Sequence, residues 1–289
     1  MTGSTLESGY VSRFFSAQDG LRLHYRDYGE ATAQHPALLC LPGLARNAKD
    51  FHVPALRHAG KRRVIASDYR GRGRSEWDPD WRNYQPRTYL DDIRHLLAGA
   101  GLQRMVVLGT SLGGALAMAL GVLQPSLLAG VILNDIGTEV GSAGIARVLA
   151  YLAKDRPQPD WPSAAAHLKS LLPNLSIDSE DGWLRFAGAT YREGDDGLLH
   201  FDWDPTIVRP LLTGRQSPVD LWPLFGSLGR LPVLLIRGGK SDILSDATAS
   251  RMADAHPGMG MVTVPGAGHA PTLEEPAVVE AIDAFLSEI

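Results

Sequence analysis

The chain has 289 residues, 44% hydrophobic and 21% charged. Such proportions suit a globular protein with one large domain, or a domain carrying an insertion, and exclude a disordered tail, a collagen-like repeat and a disulfide-stapled miniprotein. Lys and Arg number 28 against 32 Asp and Glu, a formal net charge of −4, without the basic surplus of a nucleic-acid binder.

Residues 1–7 show neither a basic start nor an apolar run, so no secretory signal is expected, and no stretch is long and apolar enough to span a bilayer. Cys40 is the one cysteine and cannot form an internal disulfide. It sits in Ala37-Leu38-Leu39-Cys40-Leu41 and reads as a small buried hydrophobe. A reducing, cytoplasmic setting is the expectation.

Short runs of strand length follow one another along the chain. Residues 10–15 and 21–25 flank Gln18-Asp19-Gly20, a hairpin turn signal. Residues 37–41, 63–66, 105–108, 131–133, 233–237 and 261–264 complete eight candidate strands. From the third onward they are nearly continuous in apolar character, as strands covered on both faces are. An opening hairpin followed by β-α alternation predicts an α/β fold with a mostly parallel sheet. One long interval, between Leu133 and Val233, lacks a strong strand. It holds helix-like residues 144–153 and 163–172, then a polar stretch with tryptophans over 178–204. A structureless loop of that length does not fit a compact domain, so residues 138–228 read as a mainly helical insertion.

The chemistry centres on Gly109-Thr110-Ser111-Leu112-Gly113, with a buried strand before it and a run of helix formers after it. A serine on a sharp strand-to-helix turn needs closely approaching backbone on both sides, which explains Gly109 and Gly113. Ser111 then projects from the carboxyl edge of the sheet. The Leu112 N–H, at a helix start, points to where negative charge would develop on a substrate oxygen. A serine hydroxyl also needs a base, and the base needs an orienting group. His269, on the small-residue loop after the last strand, is the best-placed base. For the carboxylate, Asp242 follows the strand 233–237 through a short loop at the carboxyl end of the sheet, where α/β proteins put working residues. Asp135 competes, because it also ends a strand; Asp246 reads as a helix N-terminus. Leu41-Pro42-Gly43-Leu44 offers a rigid turn whose Leu44 N–H is the second candidate oxyanion donor.

The chain resembles the α/β-hydrolase-fold enzymes. The likeness rests on the opening hairpin, Leu41-Pro42-Gly43, Asp68-Tyr69-Arg70-Gly71-Arg72-Gly73-Arg74-Ser75, the serine turn, Gly238-Gly239-Lys240-Ser241-Asp242 and Gly268-His269, in the family's order. It implies an eight-stranded sheet with helices on both faces, a core of residues 1–137 and 229–289, and a helical cap over 138–228. It also implies Ser111 as nucleophile, Asp242 and His269 as its triad partners, and backbone N–H groups of Leu44 and Leu112 as the oxyanion hole. Two departures narrow the reading. Ser111 stands where dehalogenases and soluble epoxide hydrolases of this fold carry aspartate, and Ala270 where carbon–carbon hydrolases often carry an aromatic residue. The expected activity is cofactor-independent, metal-free hydrolysis of a carboxylic ester or lactone in a small to medium apolar substrate. The alternatives are carbon–carbon bond or enol-lactone hydrolysis of aromatic degradation and, outside enzymes, a non-catalytic ligand sensor. No nucleic acid or membrane is expected as a partner. Arg70, Arg72 and Arg74, with residues 61–63, read as a glycine-spaced turn and a solvated helix end. Trp161, Trp183, Trp203 and Trp222 are candidates either to line the substrate pocket or to anchor the insertion's helices.

Overall fold

Alternation along the central strands decides the layering. In the computed structural model, which describes residues 9–30, 34–213 and 220–289, Met105 and Val107 point to one apolar cluster while Val106 and Leu108 point to another. Both sheet faces are therefore buried, and helices have to cover each of them.

The strands are β1 (Val11–Ser16), β2 (Arg22–Tyr28), β3 (Ala37–Leu41), β4 (Val64–Ser67), β5 (Met105–Thr110) and β6 (Leu128–Asn134). Two short strands, β7 (Tyr191–Glu193) and β8 (Leu199–Phe201), pair with each other, and β9 (Val233–Gly238) and β10 (Gly260–Val264) complete the main sheet. Its eight strands run in the order β1-β2-β4-β3-β5-β6-β9-β10. β2 is antiparallel to both β1 and β4, and the other neighbours are parallel. The eight candidate strands all appear, with ends shifted by a few residues. Cys40 is buried within β3.

On one face lie α1 (His52–His58) and α10 (Pro276–Ser287), whose Ala55, Val278, Ile282 and Leu286 pack against Leu38, Cys40, Ile132 and Ile236. The other face carries α2 (Pro86–Ala100), α3 (Leu112–Leu123) and, further along, α9 (Asp246–Ala255). Between β6 and β9 run α4 (Ser142–Leu152), α5 (Trp161–Leu171), α6 (Glu180–Thr190), α7 (Arg209–Thr213) and α8 (Trp222–Gly226). The β7–β8 hairpin within that stretch adds two short strands to the mainly helical insertion expected; Gly194-Asp195-Asp196-Gly197 closes it. The N-terminal reading of residues 1–7 lies outside the described residues, and none of the described helices is long and apolar enough to cross a membrane.

The four tryptophans anchor. Trp203 and Trp183 are buried in the core, and Trp161 and Trp222 pack against it. Trp203 stacks on Phe201 with ring centroids 4.2 Å apart.

The turn after β5 tolerates no side chains on its glycines. A Cβ on Gly113 would lie 2.6 Å from the Leu41 carbonyl carbon and 2.8 Å from the Pro42 oxygen, and one on Gly109 would lie 2.5 Å from the Gly114 nitrogen. These are backbone atoms and cannot swing away. Gly113→Ala should therefore destabilise the protein by roughly 3 kcal/mol, a fall in Tm on the order of 10 °C. Thermal melting of the variant checks it; an unchanged Tm would refute the close approach.

Candidate active site

Ser111 occupies the strand-to-helix turn with φ 53° and ψ −115°. A non-glycine residue in this region is strained, and the packed glycines on either side hold it there. The strain pushes the hydroxyl out of the sheet, and Leu112, the first residue of α3, presents an N–H that no earlier turn of helix can accept.

Facing Ser111 is His269, with Nε2 2.9 Å from the serine Oγ. The far ring nitrogen, Nδ1, lies 2.7 Å from Asp135 Oδ2. Asp135 follows β6, the strand next to the serine's own, and is fully buried at 0% exposure. Its Oδ1 accepts the Gly238 N–H at 2.8 Å and its Oδ2 accepts the Ser241 hydroxyl at 2.6 Å. Both carboxylate oxygens are thus acceptors, which makes His269 Nδ1 the donor and leaves Nε2 free to accept from Ser111. Ser241 has its hydroxyl proton to give, because its oxygen accepts the N–H groups of Ile243 and Leu244. The positive φ of Asp135, 54°, is one that aspartate adopts more readily than most residues.

The geometry brings Asp135, not the expected Asp242, to His269. The Asp242 carboxylate bonds Arg147 of α4 rather than His269 and is held side-on, Nε to Oδ2 at 2.6 Å and Nη2 to Oδ1 at 2.7 Å. The pair is half-exposed, 42% for Arg147 and 37% for Asp242. The Arg147 hydrogen bonds hold the Asp242 carboxyl below the usual range, with the positive charge of Arg147 as a lesser cause. The physical reason is local. The loop after β9 turns Ser241 inward, so the next residue faces out, and α4 packs directly onto it: a Cβ on Gly144 would lie 2.8 Å from the Asp242 carbonyl carbon. Neither Ser241 nor Arg147 was picked out from sequence, and Ser241 carried no signal beyond lying one residue before the favoured aspartate.

Three further bonds hold the loop that carries His269. Asn134 Nδ2 donates to the Pro271 carbonyl at 3.0 Å and to Thr110 Oγ1 at 3.1 Å, tying the histidine loop to the end of the serine strand. The Gly268 N–H reaches the Asn174 carbonyl at 2.7 Å, so the segment after β6 grips the same loop. Leu44 borders the site, and a Cβ on neighbouring Gly43 would lie 3.8 Å from Ser111 Cβ.

Ser111 and His269 open into a cavity of about 530 Å³, roofed by α4, α6 and the chain between α5 and α6. Its surface is mostly apolar, with Val148, Leu172, Leu175 and Ile177 beside Tyr151 and Phe186, yet none of the four tryptophans contributes. Arg26, Arg46, Lys49, Arg147 and Arg185 supply five cationic side chains, against Asp50, Asp178 and Glu274. Four of the five pair with carboxylates, Arg46 with Asp50, Lys49 with Asp202, Arg147 with Asp242 and Arg185 with Glu274, so most of this positive charge is balanced locally. Arg185 reaches Glu274 at 3.3 Å, while Arg26 bonds the Tyr28 hydroxyl at 3.5 Å and lies over the Tyr10 ring. Among the described residues no group of three or more His, Cys, Asp and Glu could hold a metal ion.

A family model for alpha/beta hydrolases matches residues 38–282. The chain belongs to the alpha/beta hydrolase family. Among curated members, it is 30% identical over 276 residues to the 3-hydroxybutyrate-oligomer hydrolase of Cupriavidus necator, covering 92% of this chain and 93% of that one. It is 28% identical over 274 residues to the 2-(acetamidomethylene)succinate hydrolase of Mesorhizobium japonicum, covering 91% and 92%. Among solved structures, an alpha/beta hydrolase from Novosphingobium aromaticivorans matches with a TM-score of 0.92 at 42% identity, over 98% of this chain and 99% of that one. The protein is thus a hydrolase of the alpha/beta fold.

Proposed function

We propose that this alpha/beta hydrolase is a serine esterase acting, through an acyl-enzyme, on a short apolar ester that carries a carboxylate. One observation supports the catalytic part above all others: the unbroken hydrogen-bond chain Ser111–His269–Asp135 at the floor of the cavity. Ser111 Oγ attacks the ester carbonyl while His269 Nε2 takes its proton. Asp135 keeps the imidazole in the productive tautomer and stabilises its charged form. The N–H groups of Leu44 and Leu112 stabilise the oxyanion. His269 hands the proton to the leaving alcohol, and water, deprotonated by the same imidazole, then cleaves the acyl-enzyme. Residues 138–228 serve as a cap over the core formed by 1–137 and 229–289, closing the cavity over the substrate.

The carboxylate is inferred from the cationic side chains on the cavity wall, above all Arg26, which bonds a tyrosine hydroxyl rather than a carboxylate, and from the substrate names of the two relatives reported above. A 3-hydroxybutyrate oligomer and a succinate derivative each bear ionised carboxylates. Apolar walls suit the short hydrocarbon portion, in keeping with the apolar substrate expected from sequence.

The test is a panel on the wild-type protein pairing a neutral p-nitrophenyl butyrate with the p-nitrophenyl monoester of succinate, plus a lactone and a vinylogous diketone. The charged ester should be preferred in kcat/KM by roughly tenfold, the scale of one charge-assisted hydrogen bond, and the preference should shrink with added salt. A fluorophosphonate probe should label Ser111. Cleavage of the diketone alone would favour carbon–carbon hydrolysis instead, and a folded protein that neither labels nor turns over any member would be a ligand sensor.

A further inference from the structure

Beneath the loop that carries Leu44 lies a buried cation without a counter-charge. Arg72 follows β4 in the turn Arg70-Gly71-Arg72-Gly73. Gly71 and Gly73 take φ values of 75° and 55°, which side chains resist, and the tight turn between them sends Arg72 inward. Its exposure is 0%. Nε donates to the Leu44 carbonyl at 2.8 Å and Nη1 to the Arg70 carbonyl at 2.7 Å. The guanidinium lies near the rings of Tyr89, Tyr84 and Tyr69, at 5.0, 5.4 and 6.0 Å from their centroids. Nη2 is buried with no hydrogen-bond partner.

Arg70, two residues earlier, makes the contrast. It is equally buried, but Asp19, Asp78 and Asp92 surround it. Among the described residues no carboxylate pairs with Arg72. Burying an uncompensated charge is costly, and aromatic faces and carbonyl dipoles offset only part of that cost. If space-filling were all the position required, an apolar side chain would meet it without the penalty.

What Arg72 supplies instead is a fixed donor to one particular carbonyl. We propose that Arg72 is a positioning residue for the oxyanion loop, clamping Leu44 by its carbonyl so that the N–H of the same residue stays aimed at the oxygen that becomes negative. Two covalent bonds separate the clamped carbonyl carbon from the donor nitrogen, so the restraint acts on the donor directly. The unneutralised guanidinium beneath the loop adds a positive field in a low-dielectric setting. On the upper side the Arg46 N–H bonds the Gly43 carbonyl at 3.1 Å, so the loop is held from both sides. This inference rests on the serine-esterase reading.

The experiment compares Arg72→Gln and Arg72→Lys with the wild type. It measures kcat and KM on the ester that the wild type turns over best, and the affinity of an alkyl boronic acid, whose tetrahedral adduct on serine places an oxygen in the oxyanion position. Arg72→Gln should lower kcat by roughly tenfold to a hundredfold, the scale expected for a misplaced donor, and weaken the boronic acid by the same factor. KM should stay within about threefold, since a substrate carbonyl leans on the donor far less than an oxyanion does. Arg72→Lys, which keeps the charge and a donor, should recover most of the loss. A merely structural role would lower Tm and leave the ratio of boronic acid to substrate affinity untouched; that result in folded Arg72→Gln overturns the assignment. Absence of Ser111-dependent turnover in the wild type would overturn the esterase reading, and this inference with it.

Discussion

Asp135→Asn is expected to lower kcat by about four orders of magnitude, the scale seen when a triad aspartate is neutralised, while Asp242→Asn stays within about tenfold of wild type. The difference follows from what each carboxylate touches. Asparagine at 135 keeps one acceptor oxygen, which the Gly238 N–H claims. Its amide would then present hydrogens to the Ser241 hydroxyl and to His269 Nδ1, two groups that now donate to it. The imidazole relieves the clash by moving its proton to Nε2, and a protonated Nε2 cannot accept from Ser111. Chemistry stops although the fold survives. Asp242→Asn, by contrast, removes one partner of a half-exposed ion pair, an interaction worth about 0–1 kcal/mol, and leaves the Ser111–His269–Asp135 chain intact. Steady-state kinetics on a neutral ester, with melting curves for both variants, checks the pair. The opposite ranking would return the acid to the loop after β9.

The two aspartates were hard to separate from sequence for a definite reason. β6 and β9 are adjacent and parallel, with Asn134 in register with Ile236, so Asp135 and the loop carrying Asp242 both emerge at the carboxyl edge near the serine. Choosing between them requires knowing which way the side chain after Ser241 points, and that is set by the packing of Gly141 and Gly144 of the later segment against the loop. No local pattern carries that information. The serine turn was legible because each backbone requirement of a strained strand-to-helix turn has its own residue type: an apolar strand, glycine where backbone approaches, helix formers after. His269 was legible because the last strand and its small-residue loop leave few other candidates. The central strands were legible because their apolar runs are continuous.

Burial of Arg70 and Arg72 was not legible. Arg70 is neutralised by aspartates at positions 19, 78 and 92, two of them contributed by the opening hairpin and by α2, so the pairing exists only after the chain has folded. Arg72 has no such partner, and its burial is the less expected of the two. The β7–β8 hairpin escaped because three-residue strands fall below the length at which alternation can be recognised.

Ser111→Ala should reduce kcat by roughly six orders of magnitude, and the more informative measurement is its combination with His269→Ala. In the proposed mechanism Ser111 and His269 act on one proton: without the hydroxyl the imidazole has nothing to deprotonate, and without the imidazole the hydroxyl is a poor nucleophile. The double variant should therefore be no slower than Ser111→Ala alone, far from the product of the two single losses. Residual hydrolysis above the uncatalysed rate should persist in all three, because the donors at Leu44 and Leu112 and the cavity itself remain. Single-turnover kinetics with an activated ester, on proteins checked for equal melting temperature, gives the three rates. Should the double variant fall well below Ser111→Ala, His269 would be contributing a step that does not pass through the serine. The pair would then not be one catalytic unit, and direct attack by water activated at His269 would replace the acyl-enzyme route.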